Sequence, residues 1–329
     1  MPLVSLIVPV HNAGLNLEPC LASLAAQTQA PLEVLLVDDD STDGSEMICA
    51  ARAGRDERFR LLRNDGPHGP NAARAFGLSA AKGEWVGFVD ADDLVHPRFA
   101  EALLAAAQST GTAIACCRYK PFMGAAPAAS DAAPPAARRM AAPSHTEALL
   151  HDQRVDYSLC NKLYRRQLLT AEMFSAPVRY NEDLLTNWQA FARTDAVGFV
   201  DWAGYYYRQN PASASRRGLP PAFFADQAAV ARRIRDEAAE TAEGPLAASA
   251  WAFYYEKLLY LHSMILRQDA PDYFDRERTA LEAELRPQLG RALGCRALRP
   301  RMKLVGLLAC WGGGAYRALC RLVLRDRQM

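Results

Sequence analysis

Between residues 3 and 118, short apolar runs alternate with stretches of helical period, and that alternation leaves few folds open to the chain. Residues 3–10 read as a buried strand, and residues 17–26 as a helix with Leu17, Leu21 and Leu24 on one face. The strand pattern recurs at 32–37, 59–62, 85–89 and 113–116, and the helical pattern at 45–53, 71–81 and 98–107. Such alternation predicts an α/β fold with a parallel, doubly wound sheet covered by helices on both faces. With 50% hydrophobic and 23% charged residues, the 329-residue chain can bury the core this sheet needs, which excludes disordered and fibrous classes.

The segment 123–143 is rich in Ala and Pro and has little to bury, so a mobile surface loop is expected over 119–145. Helical stretches are expected around Ala148, over 163–169 and from Glu182, with short strands at 197–200 and 205–208 closing a unit that runs to residue 215. Beyond Pro220, apolar residues recur three and four apart over 223–238, 246–267 and 275–285, so 216–300 reads as a helical region.

A net charge of +1 provides no global field to attract nucleic acid. The balance hides a gradient, because residues 286–329 carry ten Lys and Arg against Asp326 alone. There, Arg317, Arg321 and Arg325 share a helical face, so 301–329 reads as a basic amphipathic tail. It suits an anionic membrane surface or docking on its own domain equally well. The longest late apolar stretch, 304–311, is too short to span a bilayer. No basic leader precedes the first strand, and the eight cysteines lack metal spacing. Reduced thiols and a cytoplasmic location follow, peripheral at the inner membrane face if the tail binds lipid.

Parallel sheets bind ligands at the carboxyl ends of their strands, and polar groups crowd those ends here. Pro9-Val10-His11-Asn12 ends the first strand, Asp38-Asp39-Asp40-Ser41-Thr42-Asp43-Gly44-Ser45 the second and Asp90-Ala91-Asp92-Asp93 the fourth. Carboxylates this close do not all ionise cheaply unless cations or donors compensate. Hard oxygens such as those of Asp92 and Asp93 suit Mg²⁺ or Mn²⁺, which bridge to substrate phosphates. A dinucleotide Gly-x-Gly-x-x-Gly, a phosphate-loop lysine motif and a Gly-x-Ser-x-Gly elbow are all missing, and a calcium pattern from Asp39 fails at Ala50. Downstream, Asn181 can cap a helix carrying Glu182 and Asp183 in its first turn. Complementing the helix dipole would explain both acids. Beside a diphosphate-and-metal site, Asp183 can also be the base that activates a hydroxyl.

Taken in order, Ser5-Leu6-Ile7-Val8-Pro9-Val10-His11-Asn12, Val37-Asp38-Asp39-Asp40-Ser41, Ala73-Arg74-x-x-Gly77, Ala81-Lys82-Gly83-Glu84 and Phe88-Val89-Asp90-Ala91-Asp92-Asp93 closely resemble glycosyltransferase family 2. Asn161-Lys162-Leu163-Tyr164, Asn181-Glu182-Asp183 and Tyr206-Tyr207-Arg208 extend the resemblance to about residue 215, in the manner of bacterial capsule and exopolysaccharide members. It implies a GT-A fold, with a nucleotide-sugar half (1–118) and an acceptor half (146–215). The implied reaction is inverting transfer of a sugar from a nucleotide diphosphate, usually UDP, to a hydroxyl of a glycan or lipid-linked glycan.

By the same resemblance, Pro9 and His11 would line the base pocket, Asn12 would bind the nucleotide, Asp39 would accept from a base N–H, and Arg74 would meet the nucleotide or its phosphates. Asp90 would bind the nucleotide, Asp92 would lie near the ribose or the metal, Asp92 and Asp93 would hold Mn²⁺ or Mg²⁺, and Asp183 would be the base, with Glu182 orienting it or the acceptor. Two positions depart from the pattern: Asp40 replaces the usual Gly, and Ala75 the Asn that commonly follows the Arg. Trp202, Tyr206 and Tyr207, with Tyr205, have flat faces for an acceptor sugar, though a run ending a strand is more often half core. Two other readings fit the sequence less well. A sugar-nucleotide nucleotidyltransferase lacks its Gly-rich basic loop here, and a non-catalytic sugar-nucleotide binder would not need intact Asp92, Asp93 and Asp183.

Overall fold

Strand β1 (Val4–Val10) is buried along almost its whole length, as a strand covered on both faces must be. The computed structural model describes residues 2–128, 132–151, 155–209, 219–241, 244–268, 271–311 and 313–323. After β1 come α1 (Leu17–Ala25), β2 (Leu32–Asp38), α2 (Ser45–Ala53), β3 (Phe59–Arg63), α3 (Pro70–Ala80), β4 (Trp85–Phe88), β5 (Leu94–Val95) and α4 (Phe99–Thr110). Then follow β6 (Ile114–Phe122), β7 (Arg138–Ala141), α5 (Ser144–Leu150), β8 (Lys162–Arg165), α6 (Glu182–Phe191) and β9 (Ala196–Arg208). The nine described strands form one sheet in the order β3-β2-β1-β4-β8-β6-β9-β5, with β7 on β9.

Four strands, β3-β2-β1-β4, are parallel, as the alternation predicts. Beyond them the sheet is mixed: β8 runs antiparallel to β4 and β6, whereas β6 and β9 are parallel. Three local expectations are corrected. The helix expected over 163–169 is strand β8 followed by a 3-10 turn (Arg166–Leu168), because a short apolar run carries no period that separates strand from helix. The two strands expected at 197–200 and 205–208 are one, β9, whose register against β6 shifts around Arg118. The loop expected over 119–145 contains the end of β6 and all of β7, which pairs with β9 despite its weak apolar character.

Gly77 explains how α3 reaches the sheet. A Cβ there would stand 2.5 Å from Ile7 Cγ2 and 3.1 Å from Val37 Cγ2, so only glycine lets the helix lie this close to β1 and β2. One turn earlier on that helix, Arg74 is thereby brought to the strand ends. Ser5 and Glu33 close the opposite end of the sheet. Ser5 Oγ accepts from the Gly83 N–H (2.8 Å) and donates to Glu33, which also accepts from the Lys82 N–H (2.6 Å). The Ala81-Lys82-Gly83-Glu84 motif is therefore structural.

By contact density the chain divides into two units, residues 1–177 with 182–217, and residues 178–181 with 218–329. The second is helical: α7 (Pro221–Thr241), α8 (Pro245–Arg267), α9 (Asp275–Leu285), α10 (Leu289–Gly294), α11 (Pro300–Trp311) and α12 (Gly313–Val323). Its core is built on α8, where Trp251, Tyr254, Tyr255, Leu258 and Leu259 are all buried. Among the described residues no helix is long and apolar enough to cross a membrane. In α12, Tyr316 and Cys320 pack on Leu266, while Arg317 of the expected cationic face is exposed. The Arg321 side chain and all of Arg325 lie outside what is described.

Candidate active site

The connections leaving β1 and β4 run to opposite sides of the sheet, which makes the gap between their carboxyl ends a topological switch point. A cavity of about 460 Å³ lies there, lined on one side by Pro9 to Ala13 and on the other by Asp90 to Asp92, with Asp39 and His68 to Pro70 at its end. Pro9 fits in a central strand because β4 pairs with β1 only as far as Ile7, so no ladder bond to β4 is lost.

The loops after β1 and β2 are stitched together. The Asn12 N–H donates to Ser41 Oγ (3.1 Å), Asn12 Oδ1 accepts from the Thr42 N–H (2.8 Å), and the Gly14 N–H donates to Asp43 Oδ2 (2.9 Å). Asp40 has φ +61°, a left-handed conformation that explains why glycine is usual there and why an acidic residue is tolerated. His11 Nδ1 donates to the Asp39 carbonyl (2.6 Å) and its Nε2 accepts from Asn12 Nδ2 (3.1 Å), so the ring is held in one orientation at the pocket.

Asp39 is 4% exposed and accepts three hydrogen bonds. Oδ1 accepts from Asn64 Nδ2 (2.7 Å) and His68 Nδ1 (3.0 Å), and Oδ2 from the Gly69 N–H (2.7 Å). Burial pushes this carboxyl up, but the three donors outweigh it and hold it below the usual carboxylate range. The same bond raises the exposed His68 imidazole. Sequence reasoning missed Asn64 and His68, although they follow β3 and the strand-end rule applied to the other strands would have found them.

The acidic loop after β4 is built differently. Burial and the neighbouring Asp90 charge raise the Asp92 carboxyl, and its only hydrogen-bond contact among the described residues is with its own N–H. Asp93, expected as a metal ligand, is placed differently from Asp92. It is 1% exposed, its Oδ2 accepts from Tyr205 Oη (2.6 Å), and its Oδ1 accepts from the Arg208 N–H (2.6 Å). Both oxygens are occupied away from the cavity, and burial pushes the group up to about 8. Arg208 Nε donates to the Asp92 carbonyl (2.7 Å), so the end of β9 clamps the loop. Asp90 and Asp92, not Asp93, face the pocket. Two hard carboxylates fit Mg²⁺ or Mn²⁺, which complete their shell from water and diphosphate oxygens. Among the described residues no cluster of three or more acidic, His or Cys ligands could hold a metal unaided.

Arg74 ties this loop to α6. Its guanidinium is buried, with one terminal nitrogen 3.0 Å from Asp90 Oδ1 and the other 3.1 Å from Asp183 Oδ1 and 3.2 Å from Asn71 Oδ1, while Nε has no partner. Two carboxylates therefore flank one cation, and the terminal nitrogens expected to meet the nucleotide hold them. Burial raises the Asp183 carboxyl and Arg74 partly offsets that, while the Leu159 N–H donates to Oδ2 (3.3 Å). Burial, and then Asp183, pushes Glu182 up to about 7. Asn181, expected as the cap, has φ +65° and donates its amide to Gln227 (3.1 Å). The nearby Asn161-Lys162 motif is structural. The fully buried Lys162 ammonium donates to the Asp156 carbonyl (2.9 Å) and Asn161 Oδ1 (2.8 Å), fixing the segment that supplies Leu159.

The expected aromatic platform does not assemble. Tyr205 is buried on Asp93, Tyr206 packs with Leu94 and Phe122, and Trp202 meets His96 edge to face at 4.8 Å. Only Tyr207 of the run is exposed, against Tyr119 with ring centroids 6.0 Å apart.

Over residues 5–171 the chain matches the profile of glycosyl transferase family 2. It is 34% identical over 229 residues to the Bacillus subtilis glycosyltransferase EpsJ, a match covering 68% of this chain and 65% of EpsJ, under two thirds of that protein's length. With the succinoglycan biosynthesis protein ExoO of Rhizobium meliloti it shares 34% identity over 115 residues, 35% of this chain and 32% of ExoO. The crystal structure of S. aureus TarS 1–349 in complex with UDP-GlcNAc superposes with a TM-score of 0.67 at 21% identity, covering 98% of this chain and 90% of that one. The α/β sheet with its helical C-terminal addition is therefore the GT-A arrangement that the resemblance implies.

Proposed function

The chain belongs to glycosyltransferase family 2, and on that premise we propose that it transfers a sugar, with inversion, from a nucleotide diphosphate to an acceptor hydroxyl. The observation that carries this reading is Arg74, which holds Asp90 of the donor pocket and Asp183 of α6 on one guanidinium, so a proton acceptor stands beside the donor site. The nucleobase lies between Pro9 and His11 and donates an N–H to Asp39, and Asn12 keeps the His11 ring in place. A UDP-sugar is the donor proposed, in keeping with the UDP-GlcNAc that TarS carries.

Asp183 takes the acceptor proton as the acceptor oxygen bonds to the anomeric carbon. The bond to the diphosphate breaks, and its electron pair leaves with the nucleoside diphosphate. Burial makes Asp183 a better base than a solvated carboxylate, and Arg74 keeps it ionised. Glu182 orients the acceptor. Asp90 and Asp92 would hold Mn²⁺ or Mg²⁺, whose chemistry when bound is to neutralise charge on the departing diphosphate. Exposed Tyr207 is the remaining aromatic candidate for the acceptor side. ExoO's part in succinoglycan biosynthesis supports an acceptor in polysaccharide assembly, a glycan or lipid-linked glycan reached from the cytoplasmic membrane face.

The test is nucleotide release from a panel of nucleotide sugars with Mn²⁺, for the full chain and for Asp183→Asn. Release from one donor that the variant loses supports the reading. Release that Asp183→Asn leaves intact would overturn it, and nucleotide binding with no release for any acceptor would favour a non-catalytic binder.

A further inference from the structure

Helix α11 carries only two charges, Arg301 and Lys303, and among the described residues it is covered on one side. Gly306 lies against Tyr255, where a Cβ would come within 2.9 Å of Oη, and Val305, Leu308 and Ala309 pack on Leu266, Tyr316 and Cys320. On the other side Leu304, Leu307 and Trp311 are 58%, 37% and 81% exposed. At about 100° per residue these three share an arc roughly 60° wide, with Arg301 about 60° beyond one edge and Lys303 about 40° beyond the other.

We infer that this face is where the chain meets an anionic lipid surface, lying in the headgroup region with Leu304, Leu307 and Trp311 turned toward the acyl chains. Contiguous large apolar residues in water mark an interaction site. Trp at the centre of the arc suits the boundary between water and hydrocarbon. Arg301 has a stem long enough to keep its charge at the headgroups while the arc inserts, and Lys303, whose ammonium donates to the Leu293 carbonyl (2.9 Å), borders the arc on the other side. Along the chain on either side of the arc the unpaired charge has one sign: Arg296, Arg301 and Arg317 are exposed and in no ion pair among the described residues, in a segment with ten basic residues against one acid. A second copy of the chain would set these cations against one another, whereas an anionic bilayer complements them. Twelve residues of helix extend only about 18 Å, against a hydrocarbon core of about 30 Å, so α11 lies in the surface rather than through it. The inference deepens the membrane-facing part of the proposed function by assigning the contact to α11 in place of the arginine face of α12.

The test is co-sedimentation of the full chain with phosphatidylcholine vesicles with and without phosphatidylglycerol, for the wild type, Leu304→Ser/Trp311→Ser and Arg301→Glu. Expected is partition of the wild type to the anionic vesicles only, with a blue shift of tryptophan emission that Trp311→Phe lacks. The double variant should lose at least tenfold in partition and Arg301→Glu severalfold, with unfolding midpoints unchanged because these side chains touch solvent. Equal partition of the double variant and wild type, or no partition of the wild type, overturns the inference. So does a wild-type dimer that the double variant converts to monomer, since the face would then belong to a second copy. Partition needs no turnover, so a chain that releases no nucleotide still decides the question.

Discussion

Asp39 and the Asp90–Asp93 loop are two acidic ends of one pocket, built on opposite terms. Around Asp39, a single carboxylate receives donors from Asn64, His68 and Gly69, and its acidity is strengthened despite burial. At the other end Arg74 meets Asp90, Arg208 ties down the Asp92 carbonyl and the Asp93 carboxylate, and Asp92 and Asp93 are pushed up. The first end is electrostatically complete and suits a neutral partner such as a nucleobase. The second has more carboxylates than cations and suits a ligand that brings a cation with it, which is what a metal-bound diphosphate supplies.

Experiments that break this contrast should differ in size. The largest effect is expected at the carboxylate beyond the loop: Asp183→Asn removes the base while keeping its shape, and kcat should fall by about 10²–10⁴-fold with donor binding nearly unchanged. Asp39→Asn comes next. Loss of a charged hydrogen-bond acceptor should weaken nucleotide binding by about tenfold to a hundredfold, with or without Mn²⁺, as titration calorimetry would read. An Mn²⁺-dependent loss there would blur the two ends into one.

A smaller effect is expected in stability. Glu182, raised to about 7 in the fold, binds protons that the unfolded chain has released between pH 4.5 and 7. Its contribution to stability is therefore present at low pH and lost as pH rises through 7. Thermal melts of the free protein should show a shallower fall in midpoint between pH 5 and 8 for Glu182→Gln than for wild type. An identical slope would mean that the group is not buried as described.

Much of the fold was legible because β1 to β4 and their helices alternate cleanly, with residues such as Leu6, Val34 and Val86 buried from both faces. The mixed half was not, since Lys162–Arg165 is too short for its period to be read, and Ala/Pro-rich sequence conceals β7. In the site, the strand-end rule found His11, Asp39 and Asp92 at the cavity. It could not tell Asp92 from Asp93, because which of two adjacent acids turns inward depends on Tyr205 and Arg208, more than a hundred residues away in sequence. The placing of the aromatic run was hidden for a similar reason, with Tyr205 and Tyr206 committed to packing on parts of the acidic loop and β5.

The most direct test of this contrast is UDP binding by calorimetry, with and without Mn²⁺, in the wild type, Asp92→Asn and Asp93→Asn. Mn²⁺ should tighten UDP binding in the wild type and in Asp93→Asn, and Asp92→Asn should abolish the enhancement. Enhancement that survives in Asp92→Asn and disappears in Asp93→Asn would contradict it.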